Sequence, residues 1–542
     1  MRKLDAAYIN AKVYTVDEAF STASAFGISD DRFAVVGTNE EVLAHCTPET
    51  PVVDLGGRVV LPGITDSHLH IVGTGALKLE LYLVGKTKQE ILDMVAQAYR
   101  TAKPGEWIVG RGWINDAWKD DPSFPSKEEL DAVAPDVPVY LKRGCGHGAW
   151  VNSKAFEVVN ITEATPNPVG GEFMRRSDGS LLGVVTDQAQ DPFNRAIPPY
   201  TKEQIQKIAL LAQEGFFQVG VTSVHDAGSF AHWVDAWEEL YQQKKLKMRM
   251  YVSLRIVGRP SYQELMEQSR PYFERGIRVG AYDNRLTYRA YKISGDGSLG
   301  SRSAWMLEDY SDAPGCRGFG KWTDQELYDL LSQAHRAGFQ IWYHGIGDAA
   351  CRQALDCYER LQSEWPRPDC RHRIEHSQCI SPQDMGRYRE LGVIPTFQTV
   401  FLRTDKRVAE QRWGQERMKG AYAWRTLIDQ GNVLPNGSDS PVESFNPFVG
   451  MYCAVARRDE DGQPQGGWYP QEAMTREEAL RSYTCWAAYA AFEEHLKGSI
   501  EQGKLADFIV IDRDIMTCPE DEIKDTQVLR TVVGGETVYT KP

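Results

Sequence analysis

Apolar and polar positions alternate along this chain in three different ways. Residues 1–62 carry short β-rich runs, "AAYINAKVYTV", "AFGISDDRFAVVG" and "TPVVDLGGRVVLPG", separated by turn formers. The far end repeats the pattern in "DFIVIDRD" and "VLRTVVGGETVYT". Two β segments at opposite ends can build one small sheet domain, because chain termini often lie close together. Between them, eight apolar runs alternate with helical stretches. They are "ITDSHLH" (64–70), "GVTSVHDAG" (220–228), "KMRMYVSLRI" (247–256), "LTYRAYKISGDG" (286–297), "FQIWYHGIGD" (339–348), "HRIEHSQ" (372–378), "GVIPTFQT" (392–399) and "NVLPNGSDS" (432–440). Amphipathic segments such as "TKEQIQKIALLAQEGFFQ" and "TDQELYDLLSQAHRAG" lie between them. The alternation predicts an α/β fold, a (β/α)8 TIM barrel.

One interval breaks the rhythm. About 150 residues separate His70 from Gly220, where a plain strand–helix unit takes roughly 30. An insertion after the first strand is expected, with its own strands in "WIVGRGW", "VPVYLKRG" and "LLGVVTD". The predicted organisation is a β-sandwich from 1–62 plus 490–542, a (β/α)8 barrel from 63–80 plus 200–489, and an inserted lid or substrate subdomain at 81–199. At 542 residues, more than one domain is expected.

The formal charge of −14 disfavours nucleic acid or an anionic membrane as a partner, since both attract basic surfaces. The N-terminus lacks a signal-peptide pattern, and no run approaches the roughly 18 apolar residues of a spanning helix. The ten cysteines contain no C-x-x-C and read as reduced thiols of a cytoplasmic protein.

In a barrel the chemistry gathers at the C-terminal ends of the strands. The polar residues expected there are His68, His70, Lys292, His344, His376 and Asp439. Side chains at i and i+2 of a strand share a face, so His68 and His70 can grip one ion. Asp66 shares that register and is a candidate to orient a histidine. Imidazole and carboxylate donors suit Zn²⁺ or a similar divalent ion. Lys292 has two readings: an ammonium paired with Asp296, or a carbamate formed with CO2 that bridges two metals. His147 is a candidate substrate contact, and Trp113, Trp150 and Trp305 are candidate walls of an aromatic-accepting pocket, although each taken alone is more often core packing than recognition. Asp348 and Glu375 are expected to act, at most, behind the histidines next to them. His225 is expected to be structural.

The segments "LPGITDSHLH", "GRGW", "GHGAWVNSKAF", "YKISGDGSLGSRSA", "HGIGDAA", "RIEHSQ", "NGSDSPVESFNPF" and "GSIEQGKLADFIVID" run nearly the length of the chain. On them the chain resembles the amidohydrolase superfamily, in its YtcJ-like branch that includes N-substituted formamide deformylases. The resemblance implies a first metal on His68 and His70, a second on His344 and His376, a carbamylated Lys292 bridge, and Asp439 as ligand and acid/base: two Zn per chain. Cys145 and Gly148 depart from a "D-G-H-S-A-W-V-N-S" pattern, and Asp187 stands where relatives often carry Glu; these bear on substrate identity. The expected reaction is hydrolysis of a small-molecule C–N bond, in a linear amide or N-substituted formamide. Water shared by two metals, with its pKa lowered from 15.7 toward about 7, would attack the carbonyl while Asp439 shuttles the proton. Hydrolysis of a cyclic amide of the hydantoin or imidazolone type, a mononuclear deaminase, and a non-catalytic regulatory relative remain as alternatives. Self-association into a homodimer is left open.

Overall fold

A computed structural model describes residues 3–103, 105–115, 118, 121–144, 148–168, 171–255 and 262–542. The chain falls into two compact units, Met1–Ile71 with Ala212–Pro542, and Val72–Leu211.

The larger unit is organised by seven parallel strands: β1 (Ile64–Leu69), β2 (Val221–Ser229), β3 (Arg249–Arg255), β4 (Leu286–Ser294), β5 (Gln340–Gly345), β6 (Arg373–His376) and β7 (Ile394–Thr396). Each pairs with the next in chain order, and a short strand at Arg278–Gly280 pairs antiparallel with β4. The eighth predicted run, 432–440, is not a regular strand. It fills the eighth position as an extended segment that Pro435 interrupts and whose hydrogen bonds zip β7 to β1. Phe397 N–H donates to Pro435 O at 3.1 Å and Gly437 N–H to Phe397 O at 2.9 Å. On the other side Ser67 N–H donates to Asn436 O at 3.0 Å and His70 N–H to Ser440 O at 2.8 Å. Gly437 is needed for this closure, since a Cβ there would stand 2.5 Å from His68 N.

Strand parity sets the barrel interior. Ala227, Tyr251, Ala290 and Trp342 form an apolar cluster inside it, with Tyr251 and Trp342 stacked at 5.8 Å. Two residues further along β4 and β5 the same face carries Lys292 and His344.

Both chain ends meet in a sandwich within this unit. One sheet contains Arg32–Gly37, Ala25–Ser29, Ala6–Ile9 and Val52–Asp54. The other joins Val59–Pro62 antiparallel to Phe508–Ile511. Tyr8, Phe26, Phe33, Val60, Phe508 and Val532 lie together in its core. A buried ion pair ties it to the barrel: Arg249 at the start of β3 gives Nε to Asp507 Oδ2 at 2.6 Å and Nη2 to Oδ1 at 2.9 Å.

The second unit has its own six-stranded sheet, ordered Gly171–Arg175, Leu181–Asp187, Gly148–Val151, Val139–Arg143, Ile108–Trp113 and Leu81–Tyr82. No helix among the described residues is long and apolar enough to cross a membrane. The nine described cysteines are free.

Candidate metal centre

The C-terminal ends of the barrel strands bring the predicted histidines and carboxylate together. His68 Nε2 lies 3.4 Å and His70 Nε2 3.1 Å from Asp439 Oδ1. His376 stands beside them with its ring centroid 4.8 Å from that of His68, and His344 follows 4.4 Å from His376. Asp439 reaches the cluster because its backbone, at φ 54°, sits in the closing segment, where its N–H donates to His68 O at 2.6 Å. His376 departs from the alternation of β6 through a φ of 74°. That turn lets both Glu375 and His376 face the same centre.

The partners behind the rings decide which nitrogen each presents. His68 Nδ1 bonds the Glu375 carboxylate, which leaves Nε2 toward Asp439. His376 Nδ1 donates to Gln398 Oε1 at 2.7 Å, which leaves the Nε2 lone pair free of that bond and available to a cation. His344 Nε2 faces Gly297 O at 3.1 Å and Asp296 Oδ1 at 3.4 Å. Two imidazole nitrogens and a carboxylate oxygen converging within hydrogen-bond range need positive charge between them, a proton or a cation.

The electrostatics follow from burial and neighbours. Asp439 is buried, which alone would raise its pKa, yet hydrogen bonds from His68 and His70 hold it well below the usual carboxylate range. Burial also opposes ionisation of Glu375, but the Arg373 guanidinium, at 2.7 Å from Oε1, and His68 keep it strongly acidic. For His68, burial and Lys292 push downward while Glu375 and Asp439 outweigh them and raise it. Burial drives His376 down to about 3, with His68 adding to the effect. His344 falls well below its ordinary value through burial and the neighbouring His376.

Lys292 resolves one of the two readings made from the sequence. Its ion pair with Asp296 does not form: Asp296 instead accepts the N–H groups of Gly347 at 2.9 Å, Trp305 at 3.0 Å and Ile346 at 3.2 Å. Among the described residues the buried Lys292 Nζ has no hydrogen-bond partner. Burial pushes its pKa down to about 8 against the pull of Glu375 and Asp439. A buried amine with no partner beside four imidazoles and a carboxylate fits a carbamate bridge and a divalent metal pair in its donor chemistry.

Other expectations change. Asp66 supports His68 through the backbone, accepting its N–H and that of Ser438 at 3.1 Å each, rather than through the ring. Asp348 starts the helix Asp348–Glu364 and accepts Leu307 N–H at 2.8 Å, bracing a loop instead of touching His344. Trp113 and Trp150 are fully buried in the core of the inserted unit. Their N–H groups are engaged by Leu141 O at 2.6 Å and Ser126 O at 2.8 Å, so neither ring offers a face to a ligand. Trp305 stays half-buried on the loop after β4, its ring against Gly320. His147 and Cys145 lie outside the described residues. His225 is buried against Arg373 Nη1 at 3.2 Å and packs, tilted, beside Tyr251 and Trp342 in the barrel core.

The roles of Arg373, Gln398 and Asp226 are not apparent from the sequence, and Glu375 does stand behind a histidine, but behind His68 and not its neighbour His376. Period-two alternation along β6 was the available signal, since Arg373 and Glu375 share the inward face. Asp226 Oδ1 accepts the Ile71 N–H at 2.8 Å, fixing the turn that follows His70.

Comparison with known proteins agrees with this geometry. An amidohydrolase family model matches residues 51–539. The chain is 30% identical over 536 residues to the amidohydrolase YtcJ of Bacillus subtilis, covering 98% of each. It is 29% identical over 559 residues to the N-substituted formamide deformylase of Arthrobacter pascens, covering 99% of this chain and 98% of that one. A solved metal-dependent hydrolase from Pyrococcus horikoshii superposes with a TM-score of 0.78 at 27% identity, over 96% of this chain and 99% of that one. With a barrel that gathers histidines and a carboxylate at its strand ends and a family match over most of its length, this chain belongs to the amidohydrolase family, hydrolases of C–N bonds.

Proposed function

We propose that this protein hydrolyses a linear amide or N-substituted formamide at the centre formed by His68, His70, Lys292, His344, His376 and Asp439. The observation that carries the reading is the buried, partnerless Lys292 amine facing a carboxylate that two imidazoles already hold. His68 and His70 would hold one divalent ion, His344 and His376 a second, with a carbamate on Lys292 between them. When bound, such ions polarise a carbonyl and lower the pKa of water. Two zinc ions are the expected occupants on donor type.

The protein's own residues do the rest. Glu375, ionised by Arg373, fixes His68 with its Nε2 forward, and Gln398 does the same for His376. Asp439, held ionised by His68 and His70, would take a proton from the attacking water and deliver it to the leaving nitrogen. The resemblance in length and sequence to the Arthrobacter deformylase favours the formamide. A screen of metal-loaded enzyme over N-formyl, N-acetyl, aryl-amide and hydantoin compounds tests the reading. Turnover of formamides ahead of the rest, with about two metal ions per chain, is expected; turnover of hydantoins alone, or a metal-free active protein, would overturn it.

A further inference from the structure

Two arginines of the barrel strands are buried, and both meet a carboxylate. Arg249 holds Asp507 at the base of β3, and Arg373 holds Glu375 on β6. Arg255, at the opposite end of β3, does not. It lies on the inward face of that strand, two residues beyond Ser253 and four beyond Tyr251, which sits in the interior cluster. Its register partner on the next strand is Lys292. Arg255 therefore belongs to the same layer as the candidate metal ligands.

The side chain is built in, not loose. Gly228, at φ 141°, makes room for it, since a Cβ there would come within 2.3 Å of Arg255 Cδ. Its guanidinium lies 5.9 Å from the centre of the Phe230 ring. Among the described residues it makes no hydrogen bond or ion pair through the guanidinium. The nearby carboxylate, Asp226, is already engaged by Ile71 N–H and the Ser229 hydroxyl. A half-buried guanidinium is a planar donor fork suited to a carboxylate, and among the described residues none pairs with it: Asp226 acts on it only through its charge.

We propose that Arg255 binds an anionic group of the substrate, a carboxylate, and so selects amides whose amine or acyl part carries one. This rests on the amide-hydrolase reading of the same site. A carboxylate in the Arg255 fork, one strand from Lys292, places the neighbouring amide over the Asp439 cluster. The uncharged part of such a substrate is free to vary, while the distance from carboxylate to scissile bond is set by one strand spacing, about 4.8 Å, plus the reach of the arginine.

The test uses the full-length, metal-loaded enzyme with two matched pairs of compounds. Binding of 3-phenylpropanoate and of 3-phenylpropanol is measured by calorimetry to the wild type, R255Q and R255K. Hydrolysis of N-formylphenylalanine and of N-formyl-2-phenylethylamine is measured alongside. The wild type is expected to prefer the acid in binding and, through KM, in hydrolysis, and R255Q to reduce that preference about 10- to 100-fold, with R255K intermediate. A carboxylate held by metal alone would bind wild type and R255Q equally, and that result overturns the proposal. Should R255Q fail to fold, equal binding of acid and alcohol by the wild type, or by R255K and wild type without difference in preference, overturns it as well. Arg255-dependent acid binding without turnover of either formamide would refute the formamide reading and leave the anion site standing.

Discussion

Among the described residues of the larger unit, two groups of metal-type side chains lie close together, and their contrast is instructive. His335, Cys370 and His372 offer ligand atoms within 4.8 Å of one another, as His68, His70 and Asp439 do. At the first group, however, every nitrogen is engaged. Ile341 N–H donates to His372 Nδ1 at 3.0 Å, so His372 must carry its proton on Nε2 and give it to His335 Nδ1 at 2.9 Å. His335 Nε2 then donates to Trp365 O at 2.8 Å. Cys370 Sγ receives Gln362 Nε2 and Arg367 Nε at 3.2 Å each. A metal on His372 Nε2 would require a proton on Nδ1, against a backbone N–H. At the strand ends the arrangement is the reverse: lone pairs converge and a lysine lacks a partner. Proximity alone does not make a metal site; unsatisfied donors and acceptors do.

Changes at the two clusters should therefore separate chemistry from stability. Asp439→Asn is expected to keep the fold and cut kcat by about 10²- to 10⁴-fold, read by turnover and circular dichroism; wild-type turnover would remove Asp439 from the acid/base role. Lys292→Ala should lose metal and activity together and recover part of both when formate or propionate is added, measured by metal content and rate. Failure of any short acid to rescue a folded variant would argue against a carbamate. Glu375→Gln frees His68 from its fixed tautomer, and about 10- to 100-fold weaker metal affinity is expected in a competition titration.

The satisfied cluster should respond differently. Cys370→Ser is expected to cost about 1 kcal/mol in denaturant unfolding while leaving metal content unchanged. Loss of a metal equivalent in that variant would break the distinction drawn between the two groups. A pH effect of similar size follows from the same cluster. Burial pushes the His372 pKa well below its ordinary value. A depressed pKa means the unfolded chain takes up the proton first, so this contribution is whole above about pH 6.5 and is lost as pH falls. Thermal stability of the wild type should thus decline from pH 7 to 5, by at most about 2 kcal/mol from this residue. A His372→Gln variant with the same slope would show that the acid sensitivity arises elsewhere.

Much of this was legible along the chain, for a local reason. β-rich runs, their alternation with amphipathic helices, and the polar residues at their ends all follow from periodicities of two and 3.6. The helix at Asp324–Arg336 and the strand at Leu181–Asp187 lie where those patterns place them. The eighth position was less regular than its apolar run suggested, because Pro435 and Gly437 trade strand geometry for close approach to β1. Tryptophans mislead for a related reason: the same residue suits a pocket wall and a core, and only burial separates them.

The sequence by itself determined the barrel, the two β ends, the insertion and the set of side chains able to bind a cation. Those are properties of spacing and residue type. Tertiary structure alone decided which carboxylate serves which histidine: Glu375, not Asp66, takes the His68 ring, and Asp296 holds backbone N–H groups instead of Lys292. It also decided that, among the described residues, no carboxylate pairs with the Arg255 guanidinium, Asp226 being engaged by Ile71 N–H and the Ser229 hydroxyl. Hydrogen bonding is directional over about 3 Å, and residues 307 positions apart, as His68 and Glu375 are, meet at that range only after the strands have closed.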